Sequence, residues 1–309
     1  MPAASGPLPR VGFIGVGAMG GPMALSLRRA GYPVRAFDTD AARLARLGGE
    51  AGVSAADRLE ALLDPAAPSD VICLSLPSSD AFVRVADAFL LPRAAAPGRI
   101  FIDFGTTTPP ETRRIAAGLA ARGASLIDAA VSGGPGGAER ARLRTFAGGE
   151  PDVFGRIRPI LETIGGAEGL TYCGPAGTGQ IVKGVNQLAM GLGAAAFLEA
   201  VAFGVRAGVD AAVIGRAVGG VGAEAWRVLV AQTAEAAAEG LAEGRGVKFR
   251  ELPYFLREAA EQGVALPLTE TLYRFCDAGE RVVTDDNRPA PSFWHELCTR
   301  KNGTDGPRP

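Results

Sequence analysis

Apolar and polar positions along this chain fall into two regimes. Over roughly the first half, short continuous apolar runs alternate with stretches of helical spacing. Val11-Gly12-Phe13-Ile14, Val34-Arg35-Ala36-Phe37 and residues 70–77, 99–104 and 125–131 read as strands, with helical patterns between them. Strands alternating with helices predict a parallel, doubly wound sheet whose loops at the strand carboxyl ends line a ligand crevice. A hairpin-like piece over 143–149 and a helix over 152–164 complete that half, and Tyr172-Cys173-Gly174 leads out of it. Beyond Gly208 no strand pattern of any length appears. Segments 211–218, 223–238, 250–262 and 268–278 read as helices, split by glycines and by Pro267.

Between the two regimes, residues 174–208 read as one long helix. Apolar residues occupy nearly every face from Leu188 to Val205, as expected of a helix walled in by other elements. At ~1.5 Å per residue it would be roughly 40 Å long, enough to pass from one domain into another. Near its start stand Lys183, Asn186 and Gln187, whose i, i+3 and i+4 spacing places them on one side of the helix, where they can converge on a small molecule.

The glycines supply the first chemistry. Strand 11–14 runs directly into Gly15-Val16-Gly17-Ala18-Met19-Gly20, and a helical pattern follows until Gly31. A G-x-G-x-x-G between strand and helix fits a dinucleotide: the glycines permit the turn and close approach of the backbone to a pyrophosphate, and the helix N-terminus supplies the anion site. The second strand ends at Asp38, close to where an acid would accept hydrogen bonds from an adenosine ribose. An acid there repels a 2′-phosphate, so NAD is expected over NADP, although Arg35 and Arg43 stand near enough to bind such a phosphate. Asp38 has a second reading as a cap of the helix beginning near Ala41, for which Asp40 is the better placed residue. Thr108 could cap the helix starting at Pro109 or Pro110. Ser132, Gly133 and Gly134 end the strand 125–131 in a glycine-rich loop. It reads as a carboxylate pocket of amides and one hydroxyl, or as a plain turn.

The composition narrows the classes. A formal net charge of −1 with no Lys/Arg block gives no reason to expect nucleic acid or an anionic membrane surface. Cys73, Cys173, Cys276 and Cys298 form no C-x-x-C pair, which suggests neither a disulfide framework nor a zinc site and suits a reducing cytoplasm. No segment reads as a signal peptide or membrane span. The single histidine, His295, leaves little room for hydrolases that need a histidine base. Arginine serves almost everywhere as the cation, the lysines being Lys183, Lys248 and Lys301. An ammonium loses its charge on desolvation far more readily than a guanidinium, so Lys183 is either a proton-transferring group or a helix-start lysine with its head in water.

With these pieces placed, the chain resembles the β-hydroxyacid dehydrogenase family over roughly residues 10–297. The resemblance rests on residues 12–20, on Asp128-Ala129-Ala130-Val131-Ser132-Gly133-Gly134, on Gly177-Thr178-Gly179 through Lys183-Gly184-Val185-Asn186-Gln187, and on Arg250-Glu251-Leu252 before Leu266-Pro267-Leu268-Thr269. It implies a Rossmann domain over 1–174, a long interdomain helix over 175–208 and an all-helical domain over 209–298; residues 299–309, polar and containing Gly and Pro, read as a disordered tail. It further implies NAD or NADP as cofactor, Lys183 as the acid/base with Asn186 beside it, and a substrate carboxylate held by Ser132, Gly133, Gly134 and Gln187. Leu76, Pro77, Thr106 and Arg250 become cofactor contacts. The expected protein is a cytoplasmic homodimer or homotetramer that takes a small carboxylate-bearing substrate. The departures bear on the substrate: Arg250 or Lys248 must take the place of a family lysine, Gly105 replaces a usual serine, and Arg140-Ala141-Arg142-Leu143-Arg144 is unusually basic. Two other readings compete with a 3-hydroxy acid enzyme. One is a nicotinamide enzyme of another substrate class, imine reductase or 6-phosphogluconate dehydrogenase; the other is a binding protein that senses the dinucleotide without turnover.

Overall fold

The computed structural model describes residues 7–49, 52–63, 69–93, 98–218, 235, 252–261, 263 and 265–275. They form two compact units, Met1–Val185 and Asn186–Pro309.

The first unit is built on β1 (Val11–Ile14), β2 (Val34–Phe37), β3 (Ser54–Ala55), β4 (Val71–Leu74), β5 (Ile100–Asp103), β6 (Ser125–Ser132), β7 (Arg144–Gly148) and β8 (Leu170–Gly174). They lie in one sheet in the order β3-β2-β1-β4-β5-β6-β7-β8. β1 to β6 are parallel, as the alternation of strands and helices predicts. β7 departs from that expectation, because it runs antiparallel to β6, and β8 then pairs parallel to β7. The 143–149 segment is therefore one strand returning along β6, not a hairpin of its own. Tyr172-Cys173-Gly174, read as a lead into the long helix, belongs to the edge strand β8.

The helices are α1 (Gly20–Arg29), α2 (Ala41–Gly49), α3 (Ser79–Val85), α4 (Leu91–Arg93), α5 (Pro109–Ala120), α6 (Gly134–Glu139) and α7 (Pro151–Gly165), then α8 (Thr178–Arg206). Continuous apolar strands give the sheet two buried faces. Phe13, Cys73, Ile102 and Ile127 pack on one side with Met23 and Leu27 of α1 and Ile160 and Leu161 of α7. Ile72, Leu74, Phe101 and Leu126 pack on the other with Phe82 of α3 and Ile115 and Leu119 of α5. Each such side chain, fully enclosed, contributes about 1.5–3 kcal/mol.

α8 begins at Thr178, four residues later than residue 174, because Gly174 closes β8 and Gly177 turns the chain at φ +88°. Within the stretch expected to be walled in, Met190 is 65% exposed, and Val185 just before it is 62% exposed. The boundary between the two units falls inside α8. In the second unit the described elements after α8 are helical: α9 (Ala211–Val218), α10 (Leu252–Glu261) and α11 (Pro267–Phe275). Lys248, Arg250, Glu251, His295, most of 223–238 and the 299–309 tail lie outside the described residues.

Candidate active site

Parallel pairing brings the carboxyl ends of β1, β4 and β5 level, with Ile14 beside Leu74 and Leu74 beside Asp103, and sets Asp103 beside Asp128 in the middle of β6. The loops that follow them therefore meet along one rim.

At β1, Gly15 turns at φ +85°, and a Cβ on it would run into the Ser75 carbonyl. A Cβ on Gly20 would strike the Gly15 carbonyl. Those two glycines answer to the protein's own packing. Gly17 does not: a Cβ there would meet only an Arg43 guanidinium nitrogen, at an ordinary contact distance of 3.5 Å, so packing within the protein does not require a glycine. The Gly15 and Val16 amides are held by Phe37 O and Asp38 Oδ2 and the Gly21 amide by Gly17 O, so within the turn of Gly15, Val16, Gly17, Ala18, Met19 and Gly20 it is the later amides, at the opening of α1, that suit a pyrophosphate.

Asp38 is half-buried beside this turn, with its side chain largely enclosed. Its Oδ2 accepts the Val16 amide at 2.8 Å, and its Oδ1 accepts the Asp40 amide at 2.9 Å. It does not cap α2; Asp40 does, accepting Ala42 N at 2.9 Å and Arg43 N at 3.3 Å. Arg43 lies against both acids, 3.2 Å from Asp40 and 4.0 Å from Asp38. Arg35 is turned away and donates to the Ala61 carbonyl at 2.9 Å.

Leu76 and Pro77 follow β4, and Leu76 lies beside Gly15. Ser78 caps α3 by accepting Ala81 N, while Ser79 Oγ accepts Thr108 N at 3.2 Å and joins this loop to the next. Thr108 occupies the residue before α5, yet its side chain makes no cap bond. Thr106 is half-buried in that same loop.

Four polar residues that sequence reasoning left without a role of their own form the buried heart of the rim. Asp103 Oδ1 accepts Gly105 N at 2.9 Å, and its Oδ2 accepts Thr107 Oγ1 at 2.7 Å. Gln180 Oε1 accepts Thr107 N at 3.1 Å, while Gln180 Nε2 donates to Gly105 O at 3.0 Å. Asp128 Oδ1 accepts Gly177 N at 2.8 Å, and Oδ2 accepts Gln180 N at 3.0 Å, so a strand carboxylate caps α8. A Cβ on Gly148 or Gly179 would come within 2.7 or 2.6 Å of Asp128, which explains the glycines on either side of it. Burial raises Asp103 to about 6 and Asp128 to about 7 against the hydrogen bonds that favour their charged forms. The one available signal was an acid inside each otherwise apolar strand end.

Lys183 lies one turn beyond Gln180 on α8 and is 7% exposed, so little of the residue faces water. Asn186 and Gln187 follow in the same unbroken helix, both half-buried. Ser132 ends β6 directly across from Arg144, and Gly133 and Gly134 turn at φ +132° and +62° into α6. Arg142 and Arg144 are exposed, and neither has a carboxylate partner among the described residues.

Residues 10–174 match the family described as the NAD binding domain of 6-phosphogluconate dehydrogenase. Residues 177–288 match the one described as NAD-binding of NADP-dependent 3-hydroxyisobutyrate dehydrogenase. The chain is 30% identical to 2-(hydroxymethyl)glutarate dehydrogenase of Eubacterium barkeri over 93% of its own length and 95% of the relative's. It is 36% identical to a 3-hydroxyisobutyrate dehydrogenase of Pseudomonas aeruginosa over 66% of its length and 67% of the relative's. Among solved structures, 3-hydroxyisobutyrate dehydrogenase of Mycobacterium tuberculosis shares the fold, with a TM-score of 0.74 at 24% identity over 94% of this chain and 98% of that one. The chain belongs to the β-hydroxyacid dehydrogenase family, and it is an oxidoreductase that moves hydride between a nicotinamide cofactor and a small hydroxy acid.

Proposed function

We propose that the substrate is a 3-hydroxy acid or the matching semialdehyde, that the cofactor is NAD, and that Lys183 is the general acid/base. The observation that carries this reading is the burial of Lys183 on a helix whose first turn is bonded to the β5 loop and to β6. A desolvated ammonium gives up its proton more readily than one in water, as a group that takes a hydroxyl proton in oxidation and returns it in reduction must. When bound, the nicotinamide supplies or accepts the hydride.

The protein's own groups do the rest. Gly15 to Gly20 and Asp38 hold the dinucleotide, with Leu76, Pro77 and Thr106 against it. Ser132, Gly133, Gly134 and Gln187 grip the carboxylate, and Asn186 orients Lys183 or the substrate oxygen. NAD rather than NADP is favoured because Asp38 and Asp40 offset Arg43, and Arg35 is occupied elsewhere. No described helix is long and apolar enough to cross a membrane. A homodimer or homotetramer in the cytoplasm completes the reading; the exposed apolar side chains of Val185 and Met190 support the self-association.

The test follows absorbance at the NADH band with a panel of 3-hydroxy acids and their semialdehydes, with imines and 6-phosphogluconate as comparisons. Turnover confined to the 3-hydroxy acid group supports the proposal. Turnover of an imine or of 6-phosphogluconate alone, or binding of dinucleotide without turnover, contradicts it.

A further inference from the structure

Gln180 belongs to no group that touches cofactor or substrate in the reading above, yet its fully buried carboxamide makes two bonds of opposite sense to one loop. Its oxygen takes the Thr107 amide, and its nitrogen gives to the Gly105 carbonyl. The residue bracketed by those two groups is Thr106, assigned to the cofactor. The backbone of Gln180 is held too, because its amide donates to Asp128 Oδ2. One residue thus fastens the first turn of α8 both to the β5 loop and to β6, and Lys183 is three residues farther along the same helix.

A long polar side chain buried in a protein costs free energy unless its donors and acceptors are matched. Here both ends are matched by main-chain groups of a single loop, which fixes distance and orientation together; an apolar residue of the same size would fill the space and fix neither. Asp103 stiffens the loop from its other side by accepting Gly105 N and Thr107 Oγ1.

We infer that Gln180 is a positioning residue that sets the distance between the cofactor loop around Thr106 and the Lys183 ammonium. The inference rests on the assignment of Lys183 as acid/base. Its effect belongs to the hydride and proton step, where a misplacement of about 1 Å costs on the order of 100-fold in rate.

Gln180→Met keeps the length and removes both hydrogen bonds, whereas Gln180→Asn keeps the amide and falls one methylene short of the loop. Each is mixed with saturating NADH and semialdehyde substrate in a stopped-flow apparatus, and the rate constant and amplitude of the pre-steady-state burst are read. A merely structural role lowers the amplitude, because fewer molecules are competent, and leaves the rate constant alone. The positioning role predicts full amplitude with the rate constant lowered on the order of 10- to 100-fold in both variants. A rate constant within about twofold of wild type in either folded variant overturns the inference, as does failure of both variants to fold. Lys183→Ala is run beside them: a wild-type rate constant there defeats the acid/base reading itself, whatever Gln180 does.

Discussion

Asp103 of β5 and Asp128 of β6 stand side by side in the parallel register, and neither exposes any surface to solvent. Their folded values of about 6 and about 7 lie above the ordinary 3.8, chiefly through desolvation. Between those limits the native state holds more protons than the unfolded chain, so the stability these groups contribute declines as pH rises through the window. Asp128→Asn cannot titrate, and it also loses an acceptor for the start of α8. The urea midpoint of wild type should exceed that of Asp128→Asn by a margin that narrows as pH rises from about 4 to 8. A margin that widens with pH would mean that the helix-capping bonds outweigh desolvation.

Gly17 and Gly20 should fail in different ways. Gly20→Ala places a methyl on the Gly15 carbonyl and should lower the melting temperature. Gly17→Ala meets nothing closer than the movable Arg43, so it should melt like wild type and lose dinucleotide affinity by on the order of tenfold or more. Thermal melts with titration of NADH fluorescence check both, and unaltered NADH binding by Gly17→Ala would take the pyrophosphate away from this turn.

Asp38 ties the second strand to the dinucleotide turn, and in the proposed reading a 2′-phosphate would have to sit against it. The ratio of kcat/KM for NAD over NADP should be about tenfold or more in wild type and should shrink in Asp38→Ser. An NADP preference in wild type would mean that Arg43 turns from its two acids to the phosphate.

These assignments differ in how far they could be read from the chain. The Gly15 turn, Asp38 and Lys183 were legible because each sits in a local pattern: strand, glycines and helix, or a lysine near a helix start. β8 was not, because Leu170-Thr171-Tyr172-Cys173-Gly174 lies on a sheet edge with no continuous apolar run, and only its non-local pairing with β7 makes it a strand. Gln180 was passed over for a related reason. Its bonds reach back to Gly105 and Thr107, more than 70 residues earlier, and to Asp128. Spacing along the chain carries no trace of them. The antiparallel turn of β7 was hidden by the short α6 that separates it from β6.

Ala141 offers a check on local strain. It is the only non-glycine with positive φ among the described residues, at +50°, in the basic stretch leading to β7. An L side chain in that region costs energy that glycine avoids, against a smaller gain from restricting the unfolded chain. Ala141→Gly should therefore stabilise by about 0.5–1 kcal/mol in denaturant unfolding. A loss of stability would show that the Ala141 methyl makes packing contacts that outweigh its backbone strain.

The central claim is that a buried Lys183 transfers the substrate proton. Lys183→Ala leaves the dinucleotide turn intact, so NADH should bind with nearly its wild-type dissociation constant. Removing a general acid or base lowers the rate by ~100- to 10,000-fold. The decisive measurement is kcat for Lys183→Ala beside its NADH dissociation constant, on the best substrate from the panel. The account predicts a loss of that size in kcat with cofactor affinity unchanged, and a variant retaining more than about half of the wild-type kcat would contradict it.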